Sequence, residues 1–416
     1  MRLFKSVLYG ATMLLAAMLS SAQAADPIKI GFSMSLTGGL ASGGKAALLA
    51  YEIWREEINA KGGLLGRQIQ FVHYDDQSNP ANVPAIYTKL LSVDKVDLVV
   101  SGYATNQIAP AMPIVMQKNM VFLALFGTAV NEKFNYDKYF QMLPNGTDSA
   151  GANARGYLET AMTMNPKPKT LALVGADAEY AQNTIRAART IAKELGFEIV
   201  YDRSYPPSTV DLAPIVRSVQ AAKPDVVYVA SYPADSVAML RAVNELNLDV
   251  KMFGGGMIGL AYAPIKTQLG PLLNGVVTYD VYAPEPTMKF PGVEDFLKRY
   301  QDRAAPAGVD ALGYFLPPFA YAEMQILHEA VTKTGGLDQN KIGDYIRKTT
   351  FKTIVGDIKF APNGEWAKSR ALFVQYQNVA PNDVNQFRQA GKQVILYPSE
   401  FKSGPFVYPF SSVKRQ

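Results

Sequence analysis

Short apolar segments alternate with helix-length amphipathic ones along this chain, and the alternation comes in two separate runs. The first run opens with Ile28-Lys29-Ile30-Gly31-Phe32-Ser33 as a strand. A Gly/Ser loop over 36–44 leads into a helix over about 45–60, which Gly62 and Gly63 stop. Strands follow at 68–74, 97–100 and 121–123, with helices over 80–91 and 107–117 between them. The second run places strands at 170–174, 198–201, 225–229 and 250–253, separated by helices over 180–195, 212–222 and 234–246. Apolar strands spaced by helices of this length build parallel sheets covered on both faces. Two such runs predict an α/β fold of two doubly wound lobes. Length agrees, since 416 residues exceed the roughly 250–300 that one core organises.

The last third does not make a third unit of the same kind. Residues 276–279 are strand-like, helices are expected over 293–304 and 313–334, and strands at 357–360 and 371–376. These segments are the natural source of connections between the lobes. The C-terminal stretch, with Pro398, Pro405 and Pro409, is expected to run extended over the surface.

The N-terminus has the layout of a secretory signal. Arg2 and Lys5 precede an apolar run over 7–19, and Ser20-Ser21-Ala22-Gln23-Ala24 ends in an Ala-x-Ala pattern. Cleavage is expected after Ala24, with export to the periplasm, and the apolar run is short for a membrane span of about 20 residues. Removing the segment takes away two of the charges behind the formal net +5, which leaves no strong pull toward nucleic acid. Cysteine is absent, which excludes disulfides, a thiol nucleophile and a lipid-modified cysteine anchor.

Ligands of open parallel sheets bind outside the carboxyl ends of the strands. The loops expected there hold Ser35, Thr37, Ser101, Tyr103, Thr105, Asn106, Phe126, Thr128, Tyr180, Ser231, Tyr232 and Met257. Hydroxyls and aromatics with few charges suit a small, partly apolar solute. Catalytic and metal chemistry find little support. His73 and His328 are the only histidines, no G-x-S-x-G elbow occurs, and two histidines without cysteine make a poor zinc set. Asp75 and Asp76 follow a strand, where such acids bond the next turn. Gly39–Ala46 approaches a phosphate-binding P-loop, but Ala46 stands where the magnesium-binding hydroxyl belongs. Gly254-Gly255-Gly256-Met257-Ile258-Gly259 matches G-x-G-x-x-G only late in the second run, where a dinucleotide fingerprint does not belong. No cofactor is expected.

Three stretches carry a resemblance: Gly31-Phe32-Ser33-Met34-Ser35-Leu36-Thr37-Gly38, Glu57-Ile58-Asn59-Ala60-Lys61-Gly62-Gly63-Leu64-Leu65-Gly66-Arg67, and Tyr74-Asp75-Asp76-Gln77-Ser78-Asn79-Pro80. Met239–Ala242 and Thr353–Phe360 add to it. The chain resembles the type I periplasmic solute-binding proteins of the branched-chain amino acid and amide transporter group, over essentially its whole exported length. The resemblance implies two lobes joined by three crossings, near 143–148, 275–284 and 360–365. Residues 25–143 plus 280–360 would form the first lobe, and 144–279 plus 361–416 the second. It implies capture of a small carboxylate-bearing solute, delivery to an inner-membrane permease with ATPase subunits, and action as a monomer. The implied ligand contacts are Tyr103, Thr105, Asn106, Phe126, Gly127 and Thr128 from the first lobe, with Tyr180, Tyr232 and Met257 from the second.

One departure stands out. Amino-acid binders of this group place an acid after the last strand of the second lobe, against the ligand's ammonium. Here that loop is expected at Gly254–Met257, which has no carboxylate. Asp177, Glu179 and Asp235 are the acids left to take the role. Otherwise a desolvated ammonium would lack its partner, and an amine-free aromatic or aliphatic carboxylate becomes the expected solute. A module presenting its solute to a membrane receptor is the alternative to transport.

Overall fold

The computed structural model describes residues 26–415, so the expected signal segment lies outside the described residues. The first layer is a five-stranded, all-parallel sheet in the order β2-β1-β3-β4-β5. Its strands are β1 (Ile28–Met34), β2 (Ile69–Asp75), β3 (Leu98–Tyr103), β4 (Phe122–Leu125) and β5 (Tyr139–Gln141). The second sheet has β6 (Thr170–Ala176), β7 (Glu198–Tyr205), β8 (Val226–Ser231), β9 (Met252–Met257) and β10 (Val277–Asp280) as a parallel set in the order β7-β6-β8-β9-β10. Both sheets therefore repeat one winding, in which the chain reverses direction of travel between the first and third strands. Central strands such as β3, β4 and β8 are buried at every position, as helix-covered parallel strands must be.

The connecting third packs as helices on the first layer. Helix α1 (Ala41–Ala60) lies against a later helix, Pro317–Thr334, through a buried Tyr51–Glu323 hydrogen bond. A hairpin, Thr350–Thr353 with Gly356–Lys359, closes this region. The chain passes between the layers at 142–148, 281–292 and 360–371. The second passage starts later than the expected 275–284. Val277 and Thr278 still pair with β9 on one side, and residues through Asp280 pair with the strand Leu372–Tyr376 on the other.

Three sequence expectations are corrected here. Helix α1 begins at Ala41, not Lys45, so Gly43 and Gly44 are helical. They are glycines of contact: a Cβ at 44 would stand 1.9 Å from the Ser35 carbonyl oxygen, and one at 43 would stand 2.6 Å from the Tyr262 hydroxyl. The segment Gly254–Met257 is strand β9, not a loop. A Cβ at Gly254 would stand 1.8 Å from the Val277 carbonyl oxygen, so the bare backbone is what lets β10 pair there. The C-terminal stretch is not merely surface. Gln393–Tyr397 extends the second sheet antiparallel to Leu372–Tyr376, and Phe410 is buried against Phe253.

Asp75 and Asp76 bond the turn, as expected of acids after a strand. Asp75 accepts from the Leu36 and Thr37 amides, and Asp76 from the Ser35 hydroxyl at 2.6 Å. Among the described residues no cluster of three potential ligands could hold a metal ion.

Among the described residues no cation pairs with Glu323, and burial pushes its carboxyl up to about 8 from an ordinary 4.5. It is therefore a neutral acid near pH 7, with Tyr51 donating to one oxygen. Because the folded value lies above the unfolded one, this contribution to stability is complete below about pH 4.5. It is lost as pH rises through about 8. Glu323→Gln, which stays neutral and still accepts from Tyr51, is expected to flatten the fall in melting temperature between pH 5 and 9. Thermal unfolding of the two proteins across that range checks it; parallel curves would rule out a buried neutral acid.

Candidate ligand-binding cleft

The winding places the reversal points of the two sheets opposite one another, at the ends of β1 and β3 in the first and of β6 and β8 in the second. A cavity of about 30 Å³ lies between them. A wider furrow between Arg241 and Arg415 is a surface groove on the second lobe alone. The cavity is singled out because both lobes and the first passage contribute to its wall.

From the first lobe the wall takes Tyr103, Ala104 and Thr105 after β3, Phe126 and Thr128 after β4, and Phe315. Leu143 comes from the first passage. From the second lobe come Asn153, Tyr180, Tyr232, Ile258 and Tyr279. Six of the nine expected contacts thus converge: Tyr103, Thr105, Phe126, Thr128, Tyr180 and Tyr232. Asn106 stands beside the cavity and binds the Tyr232 hydroxyl, with its own amide at 3.1 Å. Gly127 turns its carbonyl to the Gln141 amide. Met257 is fully buried in β9, and its neighbour Ile258 takes the wall position because the strand is longer than expected. Ser35 and Ser101 serve the turn at Asp76 and the β4 backbone.

Backbone geometry at this edge is unusual. Ala104 has φ 84° and ψ 146°, and Phe126 and Ala129 have φ 66° and 57°. These are regions that side chains avoid, at roughly 1–3 kcal/mol each, and such residues gather at ligand sites. The result is a tight pair of turns in which the Thr105 hydroxyl accepts from the Thr128 amide at 2.9 Å.

The wall is aromatic on both sides. Phe126 meets Phe315 edge-on, with centroids 5.2 Å apart, and Tyr180 meets Tyr232 at 5.8 Å. Direct hydrogen bonds already join the lobes around the cavity. Asn183 donates to the Thr128 carbonyl at 3.2 Å, and the Tyr262 hydroxyl to that of Tyr103 at 2.9 Å. Within the second lobe, the Tyr180 hydroxyl donates to the Gly256 carbonyl at 3.0 Å.

Among the described residues no ionised side chain lines the space. Burial pushes every phenol here upward, Tyr103 to about 12, so all are neutral at ordinary pH. The three acids left by the sequence are engaged elsewhere. Asp177 accepts from Gln182, Glu179 pairs with Lys133, and Asp235 accepts from the Tyr205 hydroxyl and the Tyr232 amide at the start of a helix. Burial raises Asp235 to about 6. The loop after β9 reads Ile258-Gly259-Leu260-Ala261, so correcting the strand's length leaves the position as apolar as before.

Sequence reasoning missed Leu143, Asn153, Ile258, Tyr279 and Phe315. Ile258 lies one residue past the expected Met257, whereas Asn153 is on a helix, Tyr279 within β10, and Phe315 just before a helix of the connecting third.

Residues 27–381 match the family model of the periplasmic binding proteins. A Leu/Ile/Val-binding protein homolog 7 from Brucella abortus is 25% identical over 392 residues, covering 91% of this chain and 93% of that protein. Two solved structures share the fold. The substrate-binding protein LivJ from Streptococcus pneumoniae, in complex with isoleucine, has a TM-score of 0.71 at 19% identity, over 85% of this chain and 97% of that one. A solute-binding protein from R. palustris, in complex with benzoate, has a TM-score of 0.73 at 18% identity, over 89% and 95%.

A glycine is needed at 256, where a Cβ would stand 2.7 Å from the Tyr180 hydroxyl and 2.9 Å from that of Tyr228. Gly256→Ala is expected to displace the Tyr180 ring from the cavity wall and to cost about 1–3 kcal/mol, the usual range for overpacking. Urea unfolding measures it; an unchanged midpoint would mean that the wall is loosely packed.

Proposed function

The chain belongs to the periplasmic binding protein family, and from that premise we propose that it is the exported solute-capturing subunit of an ATP-driven importer. The family is one of binding proteins, not enzymes, and this chain is a binding protein in the same sense. In our reading the N-terminal segment directs export and is cleaved after Ala24. Residues 25–143 with 281–360 then form one lobe and 144–280 with 361–416 the other. The lobes part, admit the solute, close on it and present the closed form to a membrane permease with its ATPase subunits. A space of about 30 Å³ is far smaller than the ~300–1,000 Å³ of a small-molecule pocket, so in our reading an organic solute enters by parting of the lobes.

The ligand we assign is a small aromatic carboxylate without an amine. The observation that carries this is the wall itself: rings from both lobes, neutral hydrogen-bonding groups, and no carboxylate at the end of β9 or anywhere around the space. Asn, Thr and backbone donors can hold a carboxylate, which hydrogen bonds favour in its charged form. An ammonium would be desolvated without an ion-pair partner. The benzoate found in the R. palustris neighbour gives the same ligand class a precedent on this fold, and the isoleucine of the S. pneumoniae protein gives the competing one. Tyr103, Thr105, Asn106, Phe126, Gly127, Thr128, Tyr180 and Tyr232 are the contacts we assign, with Asn153, Tyr279 and Phe315 added.

The test is a thermal-shift panel on protein unfolded and refolded to strip carried-over solute. It compares benzoate, hydroxybenzoates, aliphatic diacids, short amides, leucine and valine. At 100 times its dissociation constant a ligand adds about 2.7 kcal/mol of stability. A shift with an aromatic acid and none with leucine or valine is the expected outcome. A shift with leucine or valine alone would overturn the assignment.

A further inference from the structure

One residue touches all three passages between the lobes. Arg370 lies in the third passage, and its amide donates to the Pro144 carbonyl of the first at 2.7 Å. Its guanidinium sits 4.5 Å from the ring centre of Phe290, in the second passage, and 4.9 Å from that of Trp366, in its own. Gly356 makes room for this stack, since a Cβ there would stand 2.9 Å from Arg370 Nη1 and 3.0 Å from Phe290 Cδ1. Trp366 is fixed in turn by donating its indole N–H to the Gln141 carbonyl at 2.9 Å.

Among the described residues the arginine forms no ion pair, because the nearby Glu400 carboxylate is bonded by Lys368 instead, and its Nε and Nη2 are buried without an acceptor. Ring faces, rather than a carboxylate, hold the cation. That difference matters at a pivot. A bidentate ion pair is strongly directional, whereas a guanidinium over a ring face keeps most of its attraction as it slides or turns. The stack also leads to the cavity. Trp366 packs on Phe319 at 6.3 Å, and Phe319 on Phe126 at 5.2 Å, a ring of the cavity wall.

We propose that Arg370, clamped between Phe290 and Trp366, is the hinge clasp that sets how far the two lobes stand apart. It is a positioning residue, acting on the cavity through the passages and not on the solute. The proposal rests on the two-lobe closure argued above, but its test needs no ligand.

The chain has no cysteine, so one introduced on each lobe can be labelled without interference. Val93 on the first and Val210 on the second are exposed and suit Cys substitution. Spin-label distances are measured on ligand-free V93C/V210C protein and on the same background carrying Arg370→Met, Arg370→Lys, Phe290→Leu, or Arg370→Met with Phe290→Leu. Arg370→Met and Phe290→Leu are each expected to lengthen or broaden the distance distribution, Arg370→Lys less so. The double variant is expected to do no more than Arg370→Met alone, because both remove one stack. Arg370→Lys and Phe290→Leu carry the test if Arg370→Met does not fold. Distributions that overlay the parent's in the folded variants would overturn the proposal, whatever those variants do to melting temperature. So would additive effects in the double variant. Failure of every solute in the thermal-shift panel would count against the ligand assignment and leave this result standing.

Discussion

A parallel sheet gathers the carboxyl ends of all its strands on one edge, and in this protein two such edges face each other. Everything at the cavity follows from that arrangement. The same winding in both sheets brings the reversal points into register, so the turns after β3 and β4 meet the turns after β6 and β8. Parallel strands cannot be joined by tight hairpins and need helical crossovers. The turns that meet at the cleft are therefore the strand-to-helix kind, with Asn106 on one side and Tyr180 and Tyr232 on the other. The rare backbone at Ala104 and Phe126 is the strain of folding those turns tightly enough to expose backbone and hydroxyl donors together.

Much of this was legible in the sequence because period and composition report burial. Strand–helix alternation marked both sheets, and six of the nine expected contacts converge on one space. Two of the three corrected expectations share one cause. Glycine was read as a sign of loop, but glycine also marks close approach of two backbones, and residue type alone does not separate the two. Gly43 and Gly44 are in a helix, and Gly254 to Gly256 in a strand, each bare because a neighbouring carbonyl or ring stands within 3 Å of where a Cβ would be. The missed wall residues have a different cause. Asn153 and Phe315 reach the cavity from elements whose own periodicity concerns packing, so only the tertiary arrangement shows which side they present.

Charge is treated differently in the cavity and in the core. The core tolerates ionisable groups by neutralising or pairing them. Glu323 is raised to about 8, and buried Asp280 shares Gln393 with Lys266, which donates to the same amide at 2.9 Å. Nothing of that kind reaches the cavity wall, where polar groups are phenols, amides and hydroxyls with partners across the lobe boundary. A core group can be satisfied once and for all. A cleft group must be satisfied both open, by water, and closed, by the other lobe or the solute, and neutral groups change partners at the smallest desolvation cost.

That cost links selectivity to closure. The bonds that flank the cavity are neutral ones, each worth about 0.5–1.5 kcal/mol net, and the Lys133–Glu179 pair at the rim is exposed and adds little, so closure is held by a few kcal/mol. Desolvating an ion without a partner costs several kcal/mol, which is as much as the latch supplies. A solute carrying an unpaired ammonium would thus hold the lobes apart, while an amine-free acid held by amide and hydroxyl donors would let them shut. On the ligand class proposed above, amino acids would be rejected by failure of the lobes to close on them rather than by a shape that excludes them. An acid substituted at the wall, as in Ile258→Asp at the end of β9, is expected to reverse the preference by giving the ammonium its counter-ion. Binding measured calorimetrically with benzoate and leucine before and after that change distinguishes the two accounts: exclusion by shape leaves leucine unbound in both proteins, and exclusion by desolvation does not.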